Sequence, residues 1–425
     1  MISAGTRTAS ITRFQLERQV NHWVLAAQSL NLDDLAAPES WKRLELYLGV
    51  SLRQHLGGLL DRLQRQVALL KATLDASESS LALEGTKRQL LAFRHSFLRT
   101  ETTLDFFADA INTRTNPRQA QLLQACDTLA MKSMNQLLDP LGKKTPIVLT
   151  YLDKGLGASI LKAGLRLWDG GKESPCAAIK IVRHNMLRPT ALIHEAGHQM
   201  AHIVDWNQEL AATLENGLQS VQPSIARTWA SWSSEIAADA FAFAHTGYAS
   251  VAALHDVLAG EKNFVLQFVP GDPHPTSFIR VLLGVEMCRY FYGPGPWDDL
   301  AETWLARNPL DEANPNAARL MQLSIPALPQ IVKLTLDTPM RSFTGRPLRA
   351  MIQPERVSPK SLLEMEANLG KALYTSAHWI WTEALRLLAL TGLKVAMQPQ
   401  NAKEILNQQE EWMRKLGGSN YATPN

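Results

Sequence analysis

Cysteine is scarce in this chain: Cys126, Cys176 and Cys288 are far apart, odd in number and form no CxxC pair. That argues against a disulfide framework and a cysteine-built zinc site, and fits a reducing compartment. A surplus of charge is missing as well. The formal net charge is +3 over 425 residues, so the basic footprint that phosphate-backbone binding needs is absent and nucleic acid is not an expected partner. No run approaches the roughly eighteen uninterrupted apolar residues of a membrane span. The most hydrophobic helix candidate, "SAHWIWTEALRLLALTGL", carries Glu383 and Arg386 inside it. The N-terminal "MISAGTRTASITRFQLERQV" has no apolar core of the secretory kind. The expectation is a soluble, cytoplasmic protein without a transmembrane segment, with export by a route that needs no cleaved signal left open.

What is present is ordinary for a folded protein, with 46% hydrophobic and 20% charged residues, enough for two or three domains. Apolar residues at 44, 48, 52, 56, 59, 63, 67, 70 and 74 keep the helical period and predict one long helix. "DASESS" then reads as a turn, and 83–111 and about 119–138 as further helices. After Pro146 the texture changes. "PIVLTYL" and "AAIKIVRH" are short, β-branched and bounded by turn residues, so they read as strands, with "GLRLWDGGKESP" between them as a strand running into a turn. Two strongly apolar helices are predicted at about 188–205 and 224–245, and Ser358-Pro359 begins a long helix that Gly392 can end. The expected fold is mostly α with a small α+β domain: a helical domain over 1–140, the α+β domain over 141–308 and a helical domain over 309–425.

Within the middle region stands "HEAGHQMAHIVDW", residues 194–206. On a helix His194 and His198 lie one turn apart and converge on one ion, while Glu195 points about 100° away, toward a water on that ion. With 11 histidines in 425 residues, a chance HExxH has a probability on the order of a percent. His202 is eight residues from His194, roughly 12 Å along the axis, too far to share its ion. A His198–His202 pair is geometrically permissible, but Gln199 supplies no base there, which leaves His202 a structural role or a place beside the ligands.

A catalytic zinc needs a third protein ligand and an open position. A metzincin would place Gly and His after the second histidine where this chain has Ala201 and Val204. Downstream, "SIARTWASWSSEIAADAFAFAH" buries Ile225, Trp229, Trp232, Ile236, Ala240 and Phe243 on one stripe, and Glu235 and Asp239 are its only charged side chains from Ala230 to Ala244. Carboxylates are costly to bury unless paired or metal-bound. Zinc at Glu235 removes one problem, and Asp239 accepting the other ring N–H of a ligand histidine, His194 first, removes the second.

The sequence HExxH, then Glu-x-x-Ala-Asp, then His274-Pro275 six residues before Arg280 resembles the gluzincin metallopeptidases that include the HtpX heat-shock protease and the CAAX prenyl protease. The resemblance spans about residues 146–290 and departs in having no membrane spans, a shorter segment between His198 and Glu235, and unfamiliar helical flanks. It implies that the α+β domain over 141–308 is a zincin-like catalytic domain, that His194, His198 and Glu235 bind Zn2+, that Glu195 is the catalytic base, that Asp239 orients a ligand, and that His274 and Arg280 lie near the site. The reaction that fits is peptide-bond hydrolysis, with a protonated His274 or Arg280 as the expected oxyanion stabiliser and Tyr248, Tyr290 and Tyr292 as weaker candidates. The substrate is then a protein or peptide, and the helical flanks are candidate surfaces for a protein partner. A zinc-containing helical interaction scaffold and a hydrolase of a non-peptide amide or ester stand as alternatives. "AAIKIVRH" is expected to present an edge to an extended substrate, with Gly170 and Gly171 letting the preceding turn approach. Cys176 is read as an ordinary thiol rather than a zinc cap, and 340–360 as a solvated loop rather than a docking element.

Overall fold

The computed structural model describes residues 4–153, 159–161 and 176–418. The expected strand and turn of 164–175, with Gly170 and Gly171, lie outside the described residues. Contacts divide the chain into two compact units, one ending at Thr115 and the other beginning at Asn116.

The first unit is helical. α1 (Ala4–Ser29), α2 (Pro38–Leu48), α3 (Leu52–Asp75) and α4 (Ser80–Asn112) follow one another, and α1, α3 and α4 pack together. Their shared core comprises Leu16, Val20, Leu63, Val67, Leu70, Leu90, Phe93 and Phe97. The polar turn predicted after α3 is present, and the Ser79 side chain accepts a hydrogen bond from the Ala82 amide at the start of α4. The single helix predicted through 44–74 is instead two. Gly49 turns left-handed at φ 65° and ends α2. The Glu45 carboxylate bridges the break by accepting bonds from the backbone N, Nε and Nη2 of Arg53.

The second unit holds every predicted site residue. α5 (Pro117–Leu138) starts at Asn116, whose side chain accepts from the amides of Arg118 and Gln119. Beside it lies a three-stranded sheet of β1 (Val148–Asp153), β2 (Ser159–Leu161) and β3 (Ala177–Val182) in the order β1-β3-β2. β1 runs parallel to β3 from Val148↔Ala177 to Asp153↔Val182, and β2 antiparallel from Ser159↔Lys180 to Leu161↔Ala178. Buried Asp127 on α5 ties down the sheet by accepting from the Thr150 amide at 2.6 Å and its hydroxyl at 2.7 Å. β3 is therefore the interior strand, which corrects the expected edge. Its apolar residues Ala177, Ala178, Ile179, Ile181 and Val182 are all buried, as for a strand covered on both faces.

α6 (Thr190–Ile203) follows β3 and carries HExxH, and α7 (Trp206–Gly217) turns back from it. The helix predicted at 224–245 is broken into α8 (Pro223–Ser231) and α9 (Ser233–Thr246). The joint is Trp232, at φ −93° and ψ 4°, whose indole N–H donates to the Asp272 carbonyl while that of Trp229 donates to Ser324. α10 (Tyr248–Leu258), α11 (Lys262–Val265) and α12 (Ser277–Tyr292) complete the surroundings of the site.

The remainder is helical. Ser358 caps a helix as predicted, but that helix ends at Leu369. Gly392 lies inside the later helix Ala384–Met397 rather than ending it. A Cβ there would stand 2.4 Å from that of Ala249, so this glycine serves close packing on α10. The basic segment 340–360 is packed rather than a solvated loop: Phe343, Leu348, Ile352 and Val357 are buried, and Glu209 accepts from the amides of Arg341 and Ser342. The protein is thus mostly α with a small α+β part, and among the described residues no helix is long and apolar enough to cross a membrane.

Candidate metal centre

Two helices build the centre. α6 supplies His194 and His198 one turn apart, and their Nε2 atoms face each other at 3.1 Å. α9 packs on α6 closely because Gly197, inside HEAGH, has no side chain: a Cβ would meet the Ala238 Cα at 3.0 Å and the Phe241 Cβ at 3.1 Å. That approach brings Glu235 across, its Oε1 3.1 Å from His198 Nε2 and its Oε2 3.5 Å from His194 Nε2. The three donors lie within 4.8 Å of one another and can hold a metal ion.

The spacing tests that fit. An ion bonded at about 2.0–2.1 Å in tetrahedral geometry holds neighbouring ligand atoms roughly 3.3 Å apart. The distances of 3.1 to 3.5 Å match this. The donor set, two imidazoles and a carboxylate, suits a borderline dication. His202 is exposed and outside the cluster, in keeping with the His194–His198 register. Cys176 is buried and is not one of the donors.

Each histidine has its other nitrogen engaged. His194 Nδ1 is 2.8 Å from Asp239 Oδ1, one turn beyond Glu235 on the same helix. His198 Nδ1 is 3.1 Å from the Ser234 hydroxyl, a partner with no sequence signal beyond its place before Glu235. Such partners fix the tautomer and the ring orientation of a ligand histidine.

Arg280 enters from α12, buried at 8% exposure. Its Nε and Nη2 donate to the two oxygens of Asp239 at 2.6 and 2.8 Å, and Nη2 also lies 3.0 Å from Glu235 Oε2. The guanidinium thus braces the two carboxylates from the edge of the donor cluster, its Nη2 also 3.4 Å from His194 Nε2. His274 sits on the rim, 59% exposed at its side chain, with Nδ1 2.8 Å from Asp272 and Nε2 3.6 Å from Glu235. The tyrosines are spent elsewhere: Tyr248 packs on Trp297, Tyr290 donates to Asp337 and Tyr292 to the Pro354 carbonyl.

Electrostatics follow from burial and pairing. Burial pushes the Glu235 carboxyl up, but His194, His198 and Arg280 outweigh it and hold the group well below the usual range. Burial likewise opposes ionisation of Asp239, and Arg280 with His194 overcomes it, to about 2. In the metal-free protein burial disfavours the His194 imidazolium, yet Asp239 and Glu235 raise it to about 10. Glu195 is buried at 7% exposure and lines the same cavity as the donors. A dication together with Arg280 would balance the charges of Glu195, Glu235 and Asp239, so the buried centre is neutral when a dication is bound.

The cavity has a volume of about 1070 Å³ and runs from the donors between α9, α10 and α12. No protein-family model, curated protein or solved structure matches this chain.

Proposed function

We propose that the chain is a zinc metallopeptidase that hydrolyses peptide bonds. The observation that carries this reading is the convergence of His194, His198 and Glu235 at ligand spacing, with Glu195 in the same cavity. Three protein donors leave one position open, as catalytic zinc sites do and structural ones do not. Bound there, zinc would acidify a water to a pKa of about 7 and polarise the scissile carbonyl.

The residues divide the remaining work. Glu195 accepts the water's proton on a carboxylate oxygen and returns it to the departing amine. His274, held at Nδ1 by Asp272, presents Nε2 beside Glu235, where its imidazolium form can donate to the negative oxygen of the tetrahedral intermediate. Arg280 is committed to Asp239 and Glu235, which favours a bracing role for it over oxyanion binding. The alternative, a metal-bearing scaffold without activity, has no use for a buried carboxylate next to a large cavity at the open side of the donors.

Metal analysis of the purified protein with a broad peptide-library digest tests the proposal. The expectation is one zinc per chain and chelator-sensitive cleavage, both lost in Glu235→Ala. Stoichiometric zinc without cleavage of any peptide would favour the scaffold.

A further inference from the structure

The cavity beside the donors is larger than the reaction needs. At about 1070 Å³ it matches the upper end of small-molecule sites, which span roughly 300–1,000 Å³, and exceeds the room one side chain takes. Away from the donors its walls are mainly apolar, with Phe243 on α9, Leu254 and Val257 on α10, Leu283 and Met287 on α12, and Phe264 on α11; the charged Arg188 and Asp256 in the same lining are paired with each other at 2.8 Å, and Glu261 stands at its exposed edge. Val257 and Phe264 are 42% and 51% exposed. A pocket occupant would cover this large apolar surface.

Polar groups are set into the same walls, namely Asn185, Thr190 and the amide nitrogen of Asn263, whose oxygen accepts from the Phe264 amide. A bare alkyl chain would strip water from these groups and return no hydrogen bond, an uncompensated cost. A peptide satisfies them with its main-chain amides while its side chains fill the apolar space. Resting on the hydrolytic reading above, we infer that the preferred substrate is a peptide segment with two or more consecutive bulky apolar residues on one side of the scissile bond, lodged between α9, α10 and α12. Peptides of small side chains leave the same apolar space unfilled.

Binding tests this separately from turnover. Fluorescent nonapeptides containing Leu-Phe-Leu or Ser-Gly-Ser are titrated into zinc-loaded Glu195→Gln protein and followed by anisotropy. Each well-buried apolar side chain is worth about tenfold or more, so the Leu-Phe-Leu peptide should bind at least about tenfold tighter. Ala253→Trp, which fills the cavity from a partly exposed position on α10, should abolish that preference. Val257→Asp, on the exposed rim, should weaken it severalfold. Thermal midpoints and zinc content establish that both variants are folded. Equal binding of the two peptides, or a preference untouched by both variants, would overturn the inference. So would displacement of the peptide by dodecanoate below its micelle concentration more readily than by unlabelled Leu-Phe-Leu peptide, since the cavity would then be an acyl site. If the preference holds and wild type cleaves nothing, the cavity's preference for apolar peptides stands and the hydrolytic reading fails. Cleavage without regard to apolar content gives the reverse.

Discussion

Asp239→Asn is the perturbation that separates a braced metal centre from a merely crowded one. The carboxylate is shared: Oδ1 takes His194 Nδ1 at 2.8 Å and Arg280 Nη2 at 2.8 Å, and Oδ2 takes Arg280 Nε at 2.6 Å. An amide of the same shape keeps one acceptor and turns the other atom into a donor facing the guanidinium. Removing one partner of a buried ion pair costs about 3–5 kcal/mol, and the side chains are 9% and 13% exposed, so solvent screens little of this. In a unit of this size that lowers the melting midpoint by on the order of 10 °C. A second effect bears on the metal. Arg280, released from Asp239, keeps its contact with Glu235 Oε2 at 3.0 Å and competes with zinc for that oxygen, while His194 loses the partner that fixes its ring. Loss of such a partner costs about 10- to 100-fold in metal affinity. Chelator competition measures the affinity, and thermal scans with and without chelator measure the stability. An affinity within twofold of wild type at an unchanged melting midpoint would refute the bracing role.

Four other outcomes are expected. Gly197→Ala gains about 1 kcal/mol of helix propensity but drives a methyl to 3.0 Å from the Ala238 backbone, an overpacking cost of about 1–3 kcal/mol; zinc affinity should drop even where the melting point barely moves, as chelator competition would register. Because His194 is raised to about 10 without metal, its proton must leave before Nε2 can bind, so apparent zinc affinity should rise with pH and level off toward pH 10; calorimetry in buffers of different ionisation enthalpy counts the proton released. The same shift, upward from 6.5, gives the metal-free fold a contribution that is complete below pH 6.5 and lost as pH rises through about 10, so its melting point should fall from pH 7 to 10 more steeply than that of the zinc-loaded form. His245 is buried beside Phe241 and burial lowers it from 6.5 to about 3, against a bond to the Ser133 backbone; the unfolded chain protonates first, so stability falls from pH 6.5 toward 3, and in denaturant titrations His245→Leu should flatten that slope.

The centre was legible because its chemistry is local. A glutamate between two histidines one turn apart, and two carboxylates one turn apart in an otherwise apolar helix, are each readable within a few residues. Ser234 and Asp272, which hold His198 and His274, were not, since a hydroxyl or an acid in a turn has many ordinary uses. Helix breaks were missed for a related reason. Leu48 and Leu52 keep the four-residue spacing across Gly49, so the apolar period runs on although the backbone does not. Trp232 interrupts α8 and α9 through partners distant in sequence, and Gly392 is explained by Ala249, 143 positions earlier. Strand order depends on pairing between segments, which periodicity within β3 does not encode; its apolar residues, interrupted only by Lys180, were nonetheless the mark of an interior strand.

The most direct measurement of the central claim is peptide cleavage by wild type and Glu195→Gln compared at equal zinc occupancy. With zinc retained in both and the base removed, kcat should fall by at least about 10². Undiminished cleavage by Glu195→Gln would contradict the account.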